Sequence, residues 1–278
     1  MTSWPHESIN IYVKLTKEFN QGKLRAIICS GQAVVLHRLA IMSKDGDWIV
    51  REDEEAIRHI LEVLSDYNTH YRFGAPFDIR WLRGGWSSHF EFQYNTMRIR
   101  TDFLSRPPRI SPLNLNRMWE EDKYSELPYV NKKDLAEIKK TNREKDYVII
   151  GELARLMEDP REQLLYSRSA RDLISLAEKY PQLIKDAGKQ RPLLKEYTQG
   201  REKLEELLDA EKRALIHANE RRLAHYMNAA ENWSTLWPSL NKEIADKDLF
   251  QAHNTIVQRA IDILPFTPTG DNNDRNKR

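Results

Sequence analysis

Glycine is concentrated in the first third of the chain, and this asymmetry limits the folds that the chain can adopt. Six of the ten glycines lie before residue 86, in a chain of 278 residues. Because glycine marks turns and interrupts helices, the first third is predicted to be turn-rich and the rest mainly helical. No run of 18 or more apolar residues occurs in the sequence, so no membrane-spanning helix and no membrane partner is expected.

Short apolar runs and helical periodicities alternate in the glycine-rich part. After residue 70 the apolar period shortens to the alternation that is typical of strands. The predicted order is helix 7–21, strand 24–29, helix 32–39, strand 48–50, helix 53–67 and strands 71–82, 89–94 and 97–104.

The second part of the chain has a helical pattern throughout. Three prolines make the segment 106–112 irregular. Beyond it we predict helices over 132–145, 147–158, 167–180, 193–230 and 246–264. The sequence therefore predicts an α+β protein with a mixed sheet and flanking helices over 1–128, an all-helical region over 129–265 and a disordered tail over 266–278.

Charge and cysteine content narrow the class of protein. The formal net charge is only +2, so nucleic-acid binding would need a local basic patch. Cys29 is the one cysteine, which excludes an internal disulfide and a cysteine zinc cluster. The first ten residues lack the features of a signal peptide. These observations predict a cytoplasmic protein.

Two short motifs suggest phosphate and metal chemistry. Ser30-Gly31 stands between a predicted strand and a helix, where backbone N–H groups can bind a phosphate; such a turn also occurs for its geometry alone. Asp45 and Asp47 would face the same way on an extended segment. Such a carboxylate pair suits Mg²⁺, although Lys-Asp-Gly-Asp, taken alone, is more typical of a hairpin turn. Asp102 is an acid within a predicted strand, and either faces a metal or lies in solvent beside Arg100.

The order of these features resembles the nucleotidyltransferase fold, and more closely the AbiEii-type nucleotidyltransferases, which occur as toxins of abortive-infection systems. The resemblance covers about residues 24–157. It is carried by SGQAVVLH at 30–37, SKDGD at 43–47, DLAEIK at 134–139 and REKD at 143–146.

The resemblance implies a metal-dependent transfer of a nucleotide from a nucleoside triphosphate (NTP) to a hydroxyl of RNA, such as tRNA, or of a protein. It implies two Mg²⁺ ions, replaceable by Mn²⁺, with Asp45, Asp47 and Asp102 as catalytic and metal-binding residues. Ser30, Gly31 and Ser43 would bind the nucleotide. A cognate antitoxin is an implied partner.

Three positions depart from the family pattern. Ser30 replaces a glycine, Ile41 replaces an arginine, and Gly46 replaces an apolar residue between the two aspartates. An inactive nucleotidyltransferase-fold protein that binds nucleotide, RNA or a partner protein is therefore the alternative.

Further charged residues have two interpretations each. Lys139, Arg143 and Asp146 are predicted on one helix face, where they would bind the triphosphate, or would form a solvated ion pair. Arginines between residues 97 and 117 would form a phosphate-binding rim for RNA, or would pair with the acids at 120–122. These arginines are Arg98, Arg100, Arg106, Arg109 and Arg117.

Two pairs of polar residues are interpreted as structural. His89 and Glu91 share a strand face without an evident third metal ligand, and Asp78 and Arg80 are predicted to form an ion pair on a strand.

Overall fold

A five-stranded mixed sheet organises the first part of the chain in the computed structural model, which describes residues 10–268. The strands are β1 (Ala26–Cys29), β2 (Asp45–Val50), β3 (His70–Tyr71), β4 (Ser87–Tyr94) and β5 (Met97–Leu104). Their order across the sheet is β1-β2-β5-β4-β3. Strands β2 and β5 run parallel, and the other neighbours are antiparallel. The predicted α+β class with a helical C-terminal part is confirmed.

Helices flank the sheet and form the rest of the chain. Those in the first part are α1 (Ile11–Phe19), α2 (Ser30–Leu36), α3 (Glu54–Ser65), α4 (Ile79–Arg83) and α5 (Pro112–Glu121). Those that follow are α6 (Lys132–Ile138), α7 (Glu144–Arg155), α8 (Pro160–Tyr166), α9 (Ala170–Lys179), α10 (Pro181–Gln190), α11 (Arg201–Ala229), α12 (Glu231–Ile244) and α13 (Leu249–Ile263). A 3-10 helix, Pro192–Gln199, links α10 to α11.

Local sequence explains where several of these elements begin. Asp53 caps α3 by accepting a hydrogen bond from the backbone of Ala56, and two glutamates follow in the first turn, where they favour the helix dipole. The two residues between β4 and β5 make a tight hairpin, in which Asn95 adopts a left-handed φ of 55°. Asparagine tolerates that conformation better than most residues.

The predicted strand over 71–82 is wrong. The strand β3 is two residues long, and Asp78 instead caps α4 by accepting from the backbone of Arg80. The predicted ion pair between Asp78 and Arg80 is present at 2.8 Å, at a helix N-terminus and not on a strand. A side-chain acceptor at this position offers the backbone an alternative to sheet pairing.

Two predicted long helices are interrupted. The helix predicted over 132–145 ends at Ile138, and α7 begins at Glu144. The helix predicted over 193–230 is divided at Gly200, whose φ of 96° is outside the helical region. Helices α5, α8, α10 and α12 do not correspond to any of the predicted helices. The predicted residues 7–9 and most of the predicted tail, 269–278, lie outside the described residues.

One large apolar core contains residues from both sides of residue 128. It includes Trp48 and Phe103 of the sheet together with Trp233 and Ile256 of the last two helices, all 1% exposed or less. A smaller second core lies within residues 164–208. None of the helices in the described part of the chain has the length and apolar character needed to span a bilayer.

Candidate active site

Three carboxylates lie together on one face of the sheet. Asp47 on β2 is directly opposite Asp102 on the parallel strand β5, and Asp45 is opposite Arg100. Residues two apart on a strand share a face, and neighbouring strands are about 4.8 Å apart. The structure therefore brings Asp45, Asp47 and Asp102 together. The hairpin-turn interpretation of Asp45-Gly46-Asp47 is wrong, because all three residues lie within β2.

Mutual repulsion and burial act on the central carboxylate. The pKa of Asp47 is raised to about 6, first by burial and then by the negative charge of Asp102. Lys139 and the backbone N–H of Gly31 oppose this shift, and Asp45 adds to it. A site that concentrates negative charge in this way requires a compensating cation.

Asp45 has one oxygen without a partner. Its Oδ1 is buried and makes no hydrogen bond, and the nearest cation, Arg100 Nη1, is 3.9 Å away. An orphaned carboxylate oxygen beside two further carboxylates fits a hard cation such as Mg²⁺, which takes few protein ligands and keeps several waters. Within residues 10–268, no three acidic, histidine or cysteine side chains form a ready metal site. Water and substrate phosphate would therefore have to complete the coordination.

Asp102 is held by two side chains that the sequence did not place at the site. His89 Nδ1 lies 2.7 Å from Asp102 Oδ1, and Arg72 Nη1 lies 3.3 Å from the same oxygen. The other ring nitrogen of His89 is 3.0 Å from Ser87 Oγ. The sequence signal for this contact was the strand alternation that places Ser87, His89 and Glu91 on one face of β4.

The predicted phosphate turn lies beside the carboxylates. Ser30 has a left-handed φ of 52° at the start of α2. A Cβ on Gly31 would overlap Ser43 Oγ, so only glycine allows the close approach of these two segments. Cys29, which precedes Ser30, is paired with Asp47 across β1 and β2, and the Gly31 backbone N–H lowers the pKa of Asp47. Ser30, Gly31 and Ser43 therefore adjoin the carboxylates.

Lys139, Arg143 and Asp146 meet, but not on one helix face as predicted. Lys139 caps the end of α6, Arg143 precedes α7, and Asp146 lies in the first turn of α7. Lys139 Nζ is 3.4 Å and Arg143 Nε 2.8 Å from the Asp146 carboxylate, which also accepts from Thr141. Burial raises the pKa of Asp146, but Lys139, Thr141 and Arg143 together hold it below its usual value.

The Lys139 ammonium is buried and faces the sheet as well as Asp146. It is 5% exposed, and its charge lowers the pKa of both Asp47 and Cys29. Lys139 is thus a buried cation whose charge acts on the carboxylate cluster.

The predicted arginine rim is largely engaged in ion pairs. Arg106 binds Glu52 at 2.6 Å, and Arg98 binds Glu91 at 2.5 Å. The alternative interpretation, pairing with the acids at 120–122, holds only for Arg117, which lies 3.6 Å from one of them.

Arg117 has a second acidic partner, and Arg109 and Arg100 are the two remaining arginines of the predicted rim. Arg117 also binds the buried Asp134. Arg109 Nε donates to the backbone carbonyl of Lys140 at 3.3 Å. Arg100 lies beside Asp45, as described above. Three of the five arginines, Arg98, Arg106 and Arg117, therefore have acidic partners within 3.6 Å, and the RNA-binding rim stays a prediction.

Comparisons with known proteins add little at the level of sequence. No protein-family model matches the chain, and no curated protein matches it significantly. Among solved structures, the chain is similar to a "putative nucleotidyltransferase from H. pylori", with a TM-score of 0.37 and 11% sequence identity, over 78% of this chain and 98% of that chain.

Proposed function

We propose that the chain transfers a nucleotide from an NTP to a hydroxyl group, with Asp45, Asp47 and Asp102 as metal ligands. The observation that carries the proposal is the in-register pairing of Asp47 with Asp102 across parallel strands, with Asp45 two residues away on the same face. The unpartnered oxygen of Asp45 and the raised pKa of Asp47 support a site that takes up cations.

The chemistry divides between the ions and the chain. Two bound Mg²⁺ or Mn²⁺ ions would stabilise the charge that develops on the attacking and leaving oxygens of an in-line displacement at the α-phosphate. Asp45 and Asp47 would hold the ions, and Asp102, oriented by His89 and Arg72, would face the acceptor hydroxyl.

The segments beside the carboxylates would hold the rest of the nucleotide. Gly31 and Ser43 pack closely against each other, and their small side chains would let phosphate oxygens approach the carboxylates. Lys139 would offset phosphate charge from the interior side, with Arg143 and Asp146 fixing its position.

The proposal also includes the acceptor of the nucleotide and the biological role of the reaction. The hydroxyl would belong to RNA, such as tRNA, or to a protein, and the chain would act in the cytoplasm as a toxin that a cognate antitoxin neutralises. Growth arrest on induced expression, relieved by substitution of Asp45, would support the toxin role.

One observation favours a second candidate function. Asp102 already pairs with the Arg72 guanidinium and lies within hydrogen-bond distance of His89, so the protein provides partners for it without a metal. A chain of this kind could bind nucleotide or a partner without catalysing transfer, which is the inactive alternative.

A labelling experiment separates the two functions. The protein is incubated with each α-³²P-labelled NTP and Mg²⁺ or Mn²⁺, in the presence of total RNA and cell protein, and label in macromolecules is measured. We expect transfer by the wild-type chain and none by Asp45→Asn, which keeps the size but not the charge of the side chain. Asp209→Asn, an exposed acid on α11, is the matched control and should remain active. NTP binding without transfer would favour the inactive candidate, and equal transfer by Asp45→Asn would contradict the proposed site.

A further inference from the structure

Helix α11 crosses the molecule between two anchoring contacts. Asn219 Nδ2 donates to the backbone carbonyl of Lys140 at 2.7 Å. Seven residues further on, the ring of Tyr226 packs edge-on against Trp86 with 5.0 Å between centroids. Two turns of one helix face therefore span the distance between the α6–α7 loop and the start of β4.

Both anchors adjoin the carboxylate cluster. Lys140 follows Lys139, whose charge acts on Asp47. Trp86 precedes Ser87, and Ser87 Oγ is 3.0 Å from the ring of His89. The face of α11 between the anchors consequently lies across from the candidate site.

Arg222 occupies this face, three residues after Asn219 and four before Tyr226. Residues at these spacings share one side of a helix. Arg222 is partly buried, its guanidinium carbon lies 5.4 Å from the centre of the Tyr226 ring, and its Nε is buried without a hydrogen-bond partner.

Other buried cations in this region have acidic partners. Lys139 pairs with Asp146, and Arg168 and Arg191 share Glu211. In the part of the chain that the structure describes, no acidic side chain lies within 4.0 Å of Arg222. A partly buried guanidinium whose Nε lacks an acceptor carries a desolvation cost, and its planar fork of donors matches a phosphate group.

We propose that Arg222 binds a phosphate group of the substrate on the face of α11 that lies between Asn219 and Tyr226. The inference rests on the proposed function, which supplies a substrate that carries phosphate. The phosphate has two sources, the polyphosphate of the NTP or the phosphodiester backbone of an RNA acceptor, and the choice of probe distinguishes them.

The experiment measures binding of two probes by titration calorimetry without added metal. The probes are tripolyphosphate and a single-stranded RNA of about ten nucleotides. The variants are Arg222→Met, which removes the charge and keeps an apolar stem, and Arg222→Lys, which keeps the charge and removes the fork. Arg221→Met is the matched control, because Arg221 is exposed on the neighbouring face.

We expect Arg222→Met to lose about 10- to 100-fold in affinity for one probe, the range for a charge-assisted hydrogen bond. Arg222→Lys should lose less, and Arg221→Met should match the wild type. Loss for tripolyphosphate assigns the NTP phosphates, and loss for RNA assigns the acceptor backbone. The inference is overturned if Arg222→Met binds both probes like Arg221→Met, if the wild type binds neither, or if the loss accompanies an equal fall in Tm in both Arg222 variants.

The outcomes for Arg222 and for the proposed function are separable. Probe binding without metal does not require transfer, so inactivity of the wild-type chain would leave a positive Arg222 result standing. Conversely, a chain that transfers nucleotides while Arg222→Met binds both probes normally would overturn this inference alone.

Discussion

His89 Nδ1 and Asp102 Oδ1 lie 2.7 Å apart, on residues that face each other across the antiparallel strands β4 and β5. Asp47 lies opposite Asp102 on β2, the other neighbour of β5. Asp47, Asp102 and His89 therefore form one row across three adjacent strands. The hydrogen bond fixes which oxygen of Asp102 is left to face a ligand. His89 is therefore a positioning residue for the proposed site, as histidines and carboxylates that orient metal ligands commonly are.

Replacement of His89 should weaken metal binding before it weakens the fold. We expect His89→Leu to lose about 10- to 100-fold in Mn²⁺ affinity, the usual cost of losing a residue that orients a metal ligand. His89→Asn, whose amide can replace the Nδ1 contact, should retain most of it. Mn²⁺ titration followed by electron paramagnetic resonance measures the affinity. Unchanged Mn²⁺ affinity in His89→Leu would show that Asp102 does not depend on this contact.

Asp47 should make the metal-free protein less stable as pH rises. Its folded pKa of about 6 is above the usual value of 3.8, so the folded state binds more protons than the unfolded state between these values. The free energy of unfolding therefore falls as pH rises through this window, by about 1–3 kcal/mol in total. Below pH 4 this loss of unfolding free energy is absent, and above pH 6 it is complete.

Asp47→Asn removes the ionisable group, so comparison with the wild type measures how much the ionisation of Asp47 destabilises the fold. The variant should be more stable than the wild type at pH 7.5 and equal to it near pH 4, by urea unfolding without metal. Asp209→Asn, on the exposed side of α11, should show no such pH-dependent difference. Added Mg²⁺ should stabilise the wild type at pH 7.5 and leave Asp47→Asn unchanged. A stability difference that is the same at both pH values would exclude Asp47 as its source.

Gly31 should tolerate no side chain while Ser43 is present. A Cβ at Gly31 would overlap Ser43 Oγ, so Gly31→Ala should destabilise the chain by about 1–3 kcal/mol and widen the space beside Asp47. The double variant Gly31→Ala with Ser43→Gly removes the overlapping atoms and should recover most of the lost stability. Thermal unfolding of the three variants measures this coupling. Additive effects of the two substitutions would contradict the contact.

The sequence was informative about the carboxylates because strand alternation is a local property. The bounds of β5, Met97–Leu104, match the prediction, and the two-residue spacing of Asp45 and Asp47 places them on one face. Pairing between β2 and β5 joins segments about fifty residues apart, and no local pattern states which strands become neighbours. The resemblance in motif order, and not periodicity, suggested that Asp102 would join the pair.

Local patterns failed where a tertiary contact changed the backbone. The helical period of the sequence continues through Lys139, yet α6 ends immediately before this residue. The chain turns there because Lys139 and Arg143, which do not share one continuous helix, both contact the Asp146 carboxylate. The Asp-Gly sequence at Asp45 favours a turn in isolation, but its pairing with Arg100 and Thr101 of β5 holds it extended. Both departures lie at the candidate site, where local preference and function compete.

Lys139 should be required for the fold as well as for the site, because it forms a buried ion pair with Asp146. Removal of one member leaves an uncompensated charge, which typically costs about 3–5 kcal/mol. We therefore expect Lys139→Met to be strongly destabilised. The double variant Lys139→Met with Asp146→Asn removes both charges and should recover much of the stability, as urea unfolding would show. Its NTP binding should nevertheless stay weak, because the cation that offsets Asp47 is still missing. Recovery of both stability and NTP affinity in the double variant would mean that Lys139 serves the fold alone.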